Sequence, residues 1–305
     1  METISTLFFE QFEHEAIERI KKFSRLCDEM GFVPVVGLSG GKDSQVVYDL
    51  CKRAGIRFEA KFNHCFESPK TLTFIRDNYP EVKWRREVKQ GFFENIRVNH
   101  KGMLSTIERS FCCEDYKHNP AYIDNAAILG IRREESAKRQ GRTVLMAKNK
   151  TSLKKNAKVI PKYFESHCIK ASAPNEILLN PIVDWSDMEV WEYIRIHQLP
   201  INPEYSESNR VGCIICPKAN FNSNYKALLK YPKLIDSMIR MRDKAIREDA
   251  LDWVITGDNI DCSDNKPYYI CRWLNHSFRQ FTKKQEKLCE AVIKRYDDMK
   301  KYENI

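Results

Sequence analysis

The sequence predicts an α/β fold: a parallel sheet with helices on both faces, followed by a mainly helical C-terminal appendage. Three observations predict it. An apolar strand at Val33–Leu38 runs into a glycine-kinked polar turn, a helix-forming stretch follows at Gln45–Ala54, and a second apolar strand occupies Phe58–His64. Strand, helix and strand in that order make a βαβ unit, whose crossover places parallel strands side by side. With 305 residues the chain can bury a full core. The expected division is a domain over residues 1–220, carrying an insertion over about 143–173, and a helical region over 221–305.

The elements follow in order. Phe8, Phe12, Ile17, Ile20, Phe23 and Cys27 recur at helical steps with Glu and Lys between them, so the first helix packs by one face. Cys27 and Cys51 fall on such faces, where a free thiol behaves as a small hydrophobe. Ser68 and Pro69 have the character of an N-cap and a first helical residue. Ala127–Arg132 reads as a short buried strand ending in a basic turn. Lys138–Ala173 has few apolar residues and many lysines, which reads as a long surface insertion with some strand content. Leu178–Trp185 returns to strand. Asp187 is placed to cap a helix over Met188–Ile196, with Val190, Trp191 and Ile194 inward. Tyr231–Tyr302 is mainly helical.

Lysine and arginine exceed aspartate and glutamate by 51 − 42 = 9, and Lys148–Lys162 carries six lysines and no acid. Such a run extends by self-repulsion into a solvated loop or forms a landing strip for a polyanion such as DNA or tRNA. No run of about 18 apolar residues spans a membrane. The first residues, with Glu2, Glu10 and Glu13, lack the pattern of a signal peptide. Eleven cysteines in such a chain argue for thiol chemistry or metal binding rather than a disulfide scaffold. A cytoplasmic location is expected, and a homo-oligomer.

Three constellations carry chemistry. Ser39, Gly40, Gly41, Lys42, Asp43 and Ser44 form a turn between strand and helix, where backbone N–H groups and a helix N-terminus attract anions. The turn is not a Walker A loop, because Gly37 stands one residue too close to Gly41-Lys42 and Asp43 follows the lysine. Gly130-Ile-Arg-Arg-Glu-Glu-Ser-Ala-Lys-Arg139 brings Arg132, Arg133, Ser136 and Arg139 to a strand end, and guanidinium forks match phosphate or sulfate oxygens. Cys112-Cys113 and Cys213-Ile-Ile-Cys216 supply four thiolates, suited to zinc or to a [4Fe–4S] cluster. A redox dithiol at Cys213 and Cys216 is a further reading.

Ser39–Ser44 resembles the PP-loop of the N-type ATP pyrophosphatases, the adenine nucleotide alpha hydrolase-like superfamily. Within it the Gly130–Arg139 segment is similar to that of the phosphoadenosine phosphosulfate (PAPS) reductase family. So are Asn180-Pro-Ile-Val-Asp-Trp185 with Val190-Trp191, and Leu199-Pro-Ile-Asn-Pro-Glu-Tyr205. The vicinal and spaced cysteine pairs resemble those of its cluster-binding members, including DNA phosphorothioation and thiolation enzymes.

The resemblance implies a Rossmann-like sheet that binds ATP or a sulfonucleotide with Mg²⁺. Lys42, Asp43, Arg132 and Arg133 would take the catalytic roles, Asn202 and Tyr205 would buttress the site, and Asp184 would reach magnesium or an arginine. It implies a [4Fe–4S] cluster on Cys112, Cys113, Cys213 and Cys216, sulfur transfer to DNA or tRNA, and a cysteine desulfurase or thiol reductant as partner. The family's reductases use a cysteine in a Glu-Cys-Gly-x-His segment. Here Cys262, Cys271 and Cys289 have other neighbours, and Cys271 beside Arg272 is the candidate thiolate. Sulfonucleotide reduction with release of sulfite is therefore the alternative activity, and non-catalytic nucleotide and DNA binding a third.

Overall fold

A computed structural model describes residues 2–86, 88–102, 105, 110–118, 124–148, 170–171, 175, 177–247 and 282–303. The lysine run beyond Lys148, and Cys262, Cys271 and Arg272, lie outside these residues. Two compact units emerge, Met1–Arg86 with Lys117–Gly212, and Glu87–Tyr116 with Cys213–Ile305. The division therefore departs from the single boundary expected at residue 220.

The first unit is built on strands β1 (Val35–Gly37), β2 (Glu59–Asn63), β3 (Lys83–Arg85), β4 (Ala126–Ile128), β5 (Leu145–Ala147), β6 (Lys170–Ala171) and β7 (Ile177–Leu179). They form one sheet in the order β3-β2-β1-β4-β7-β5-β6. The first five in that order are mutually parallel, with Val36 opposite Ala60 on one side and Ile128 on the other. Strand β5 runs antiparallel to β7 and parallel to β6. Val144 to Ala147 is buried and Leu145–Ala147 is a sheet strand, so the start of the expected insertion over 143–173 belongs to the sheet, while residues 149–169 lie outside the described residues. The apolar run there is too short, and too closely bracketed by basic residues, to stand out by period.

Helix α1 (Glu2–Glu29) buries Ala16, Ile20, Phe23, Leu26 and Cys27. Helix α2 (Lys42–Arg53) packs against α1 and buries Val46, Val47, Leu50 and Cys51. Each large side chain so buried contributes about 1.5–3 kcal/mol relative to exposure. Helix α3 (Pro69–Asn78) starts as expected, with the Ser68 side chain accepting from the Thr71 amide.

In the second unit, helix α4 (Phe92–Asn99) precedes a helical turn at Phe111–Cys113. The chain returns to the first unit for α5 (Asp187–Ile196), which packs on α2. Strand β7 ends at Leu179 rather than continuing to Trp185. Pro181 has no N–H to give a ladder, and the Val183 and Trp185 amides turn back to Asn180 and Ile182 carbonyls.

The cap of α5 also differs from expectation. Ser186 accepts from the Glu189 amide at 3.2 Å, and Glu189 accepts from the Ser186 amide at 2.5 Å, a reciprocal capping box. Asp187 is therefore released from capping. Val190 and Ile194 face inward and Trp191 is half-buried.

Helices α6 (Phe221–Lys230), α7 (Pro232–Arg247) and α8 (Lys283–Glu303) complete the second unit, α4 packing on α7. That packing groups Phe92–Asn99 with the second unit. No described helix is long and apolar enough to cross a membrane.

Candidate nucleotide site

Strand β1 lies between β2 and β4, so the strand order reverses there and a crevice opens beyond the carboxyl ends of β1 and β4. The Ser39–Ser44 loop and the Gly130–Arg132 segment both begin at those ends. A cavity of about 810 Å³ fills the crevice. Its size is in the range of cofactor pockets.

The loop is braced from several sides. Gly40 has φ +77°, a conformation that a β-carbon resists. Its carbonyl accepts from the side-chain amides of Gln45 at 3.2 Å and Asn202 at 3.0 Å. Ser44 Oγ donates to the Gly41 carbonyl at 2.7 Å and accepts from the Ser39 amide at 3.1 Å. The Tyr205 hydroxyl accepts from the Lys42 amide at 2.9 Å, at the opening turn of α2. Burial raises the phenol's pKa, which keeps it neutral. Asn202 and Tyr205 thus buttress the loop as expected.

At the cavity wall two buried cations meet two carboxylates. Lys42 Nζ lies 3.2 Å from Asp43 and 2.8 Å from Asp187. Arg132, 2% exposed, gives Nε to Asp43 at 2.5 Å and a terminal nitrogen to Asp187 at 2.8 Å. Burial alone would lower the Lys42 pKa, but the Asp187 hydrogen bond and the Asp43 charge carry it above the usual value. Burial opposes the Arg132 charge too, and Asp43 and Asp187 outweigh it. For Asp187, burial would raise the pKa, and Lys42 and Arg132 bring it below the usual carboxylate range. Lys42, Arg132 and Asp187 are therefore held in their charged forms near neutrality.

Elsewhere the cavity is lined by Lys61, Lys117, Arg139 and Arg210, and by Glu67, Glu134, Glu135 and Ser136. Glu67 is buried, accepts from the Cys65 amide at 2.8 Å and pairs with Lys117 at 3.0 Å. Of the expected residues, Ser39, Gly41, Lys42, Asp43, Ser44, Gly130, Arg132, Ser136 and Arg139 line the cavity, and Gly40 shapes its loop. Arg133 does not line it. Its guanidinium pairs with Asp184, which also takes Arg19, and donates to the Arg142 carbonyl. The helical turn after Arg132 sends neighbouring side chains in different directions, so the two arginines take different roles. Asp187, Glu67, Lys61, Lys117 and Arg210 had no signal as cavity residues in the sequence.

The four cysteines belong to the second unit. Cys112 is buried and its amide donates to Ser105 Oγ at 3.2 Å. A hydrogen bond with Cys113, burial and the neighbouring Cys113 and Cys213 thiols raise its pKa. The Cys213–Cys216 turn is pinned by Asn224, which exchanges two hydrogen bonds with the Cys216 backbone at 3.1 and 3.0 Å. A sulfur-only donor set fits a thiolate-ligated group. Among the described residues no three His, Cys, Asp or Glu side chains are grouped to hold a single metal ion.

The sheet order, the glycine loop at the switch point and the cavity beside it define an α/β protein with a crevice of charged side chains at its strand ends. The chain belongs to the phosphoadenosine phosphosulfate reductase domain family, which matches residues 33–219. It is 26% identical over 199 residues to an adenosine 5'-phosphosulfate reductase of Staphylococcus epidermidis, covering 62% of this chain and 72% of that one. It is 24% identical over 260 residues to sulfate adenylyltransferase subunit 2 of Parabacteroides distasonis, covering 81% and 82%. An uncharacterized protein of Methanocaldococcus jannaschii is 24% identical over 241 residues, 75% of this chain, and the match spans about half (52%) of that longer protein. Among solved structures, a phosphoadenylyl-sulfate reductase from Candida auris, in a phosphate complex, aligns with TM-score 0.44 and 16% identity over 67% of this chain and 93% of that one.

Proposed function

We propose that the protein binds ATP or a sulfonucleotide in the crevice, cleaves ATP between its α- and β-phosphates, and supports sulfur transfer to an oxygen-bearing acceptor, a DNA or tRNA. The observation that carries this reading is the pair of buried cations, Lys42 and Arg132, at the mouth of a glycine loop on the switch point of the sheet. Attack by an acceptor oxygen on the α-phosphorus would form one P–O bond and break the bond to the bridging oxygen, releasing pyrophosphate. Lys42 and Arg132 would stabilise the charge that develops on that leaving group. The adenylylated oxygen would then leave as AMP when sulfur replaces it.

Lining charges support a role for a divalent cation. Six cationic side chains face five carboxylates, too small an excess to neutralise a triphosphate. Asp43 and Asp187 would hold Mg²⁺, which would neutralise phosphate charge. Cys112, Cys113, Cys213 and Cys216 would hold a [4Fe–4S] cluster, and a cysteine desulfurase or thiol reductant would supply sulfur or electrons. A second reading, reduction of a sulfonucleotide to sulfite, is favoured by the family and by the name of the Staphylococcus relative.

Calorimetry with ATP and Mg²⁺ tests the site. K42A is expected to weaken ATP binding at least about tenfold, the scale of losing one charge-assisted contact. Unchanged affinity would remove Lys42 from the phosphate site. Release of pyrophosphate on adding an acceptor nucleic acid, against release of sulfite from adenylylsulfate and a thiol reductant, separates the two activities.

A further inference from the structure

Asp187 stands where a phosphate oxygen would stand. Its Oδ1 lies 2.8 Å from Lys42 Nζ and 2.8 Å from a terminal nitrogen of Arg132, the geometry by which two cations grip one oxyanion. The residue does not cap its own helix, since Ser186 and Glu189 do so. Its amide instead donates to Glu134 at 2.6 Å, and Glu134 also meets Arg132 at 3.2 Å. The backbone of Asp187 is thus fixed at the site while its side chain remains 54% exposed at the cavity wall.

We propose that Asp187 makes occupation of this cavity by a phosphate chain conditional on a divalent cation. The proposal rests on the nucleotide-site reading above and deepens it. Lys42 and Arg132 carry two positive charges, and Asp43 and Asp187 return two negative ones. With Glu134 also facing Arg132, a metal-free polyphosphate therefore meets a set without net positive charge, whose donors are already taken by carboxylates. It gains their hydrogen bonds only by expelling Asp187, whose charge then lies beside its own. A divalent cation reverses the sign of the contact. Carboxylate and phosphate oxygens are both hard ligands for it, so Asp187 turns from competitor into co-ligand. Discrimination of this kind uses repulsion of the wrong ligand state as much as attraction of the right one.

The test is calorimetric titration of the full chain with inorganic pyrophosphate, once in EDTA and once in excess Mg²⁺. Wild type is expected to bind at least about tenfold tighter with Mg²⁺, and D187N to bind at least about tenfold tighter than wild type in EDTA, with little further gain from Mg²⁺. D187E, which restores the charge, is expected to recover dependence on Mg²⁺. Circular dichroism and a thermal melt establish that each variant is folded. If D187N matches wild type in EDTA while wild type still binds Mg²⁺-pyrophosphate, the gating role is overturned and the phosphate site stands. If wild type binds pyrophosphate in neither condition, the phosphate-site reading falls and the proposal falls with it.

Discussion

Gly130 has no room for a β-carbon. One built there would lie 2.6 Å from the Asp43 carbonyl oxygen and 3.0 Å from the Ser44 amide nitrogen, both backbone atoms of the loop-to-helix junction. The end of β4 is therefore seated directly on the turn that carries Lys42 and Asp43, and this contact sets how far Arg132 stands from them. G130A is expected to cost about 1–3 kcal/mol through overpacking, read as a lower urea midpoint, and to weaken ATP binding by prising Arg132 from Asp43. Wild-type values of both would mean that the junction relaxes freely. Gly130 was legible as part of a motif, because the glycine opens an arginine-rich strand end. Asp187 was legible only as a helix start. Serine and aspartate both favour caps, and what separates Ser186 from Asp187 is the Glu189 partner three residues beyond the true cap, together with cations that arrive from residues far away in the chain.

At the scale of elements, α1, α2 and α5 are tied by one carboxylate. Glu13 of α1 pairs with Arg53 at the end of α2 at 2.5 Å and with His197, which follows α5, at 2.7 Å. Burial works against the charged form of Glu13, but hydrogen bonds from Arg53 and His197 hold its pKa below the usual value. A carboxylate depressed in the folded state contributes stability above its unfolded pKa, about 4.3 for glutamate, and loses it as pH falls through the folded value. E13Q is thus expected to melt below wild type at pH 7, with the gap closing below about pH 4. A gap that stays constant down to pH 3 would assign the effect to packing instead. The helices themselves were legible from their periodic apolar faces. The short strands were less so: Leu145–Ala147 is a three-residue strand buried in the sheet, and a run of that length carries no period to read. What placed it was pairing with Ile177–Leu179, a long-range relation that no local pattern encodes.

At the scale of the whole molecule, the candidate residues are divided between two compact units, each assembled from two stretches of chain. The glycine-loop cavity falls in one unit, and the four cysteines of the vicinal and spaced pairs fall in the other. The motifs were legible in the sequence because each is local; their grouping was not, as the Tyr205 hydroxyl beneath the Lys42 amide, 163 residues apart, illustrates. Cys112 and Cys213 stand 101 residues apart in the chain, yet both fall in the same unit. A single sulfur-ligated group requires that shared placement. Protein purified without oxygen is accordingly expected to carry about four irons and four acid-labile sulfides per chain. C213S should lose both with the accompanying visible absorbance, whereas K42A, altered in the other unit, should keep them and lose ATP binding instead. One zinc and no iron would make the thiols a structural site, leaving an adenylylating enzyme whose sulfur arrives from a partner. Loss of iron in K42A as well would mean that nucleotide site and cluster are built interdependently. The two variants together therefore test whether the units carry separable halves of one reaction.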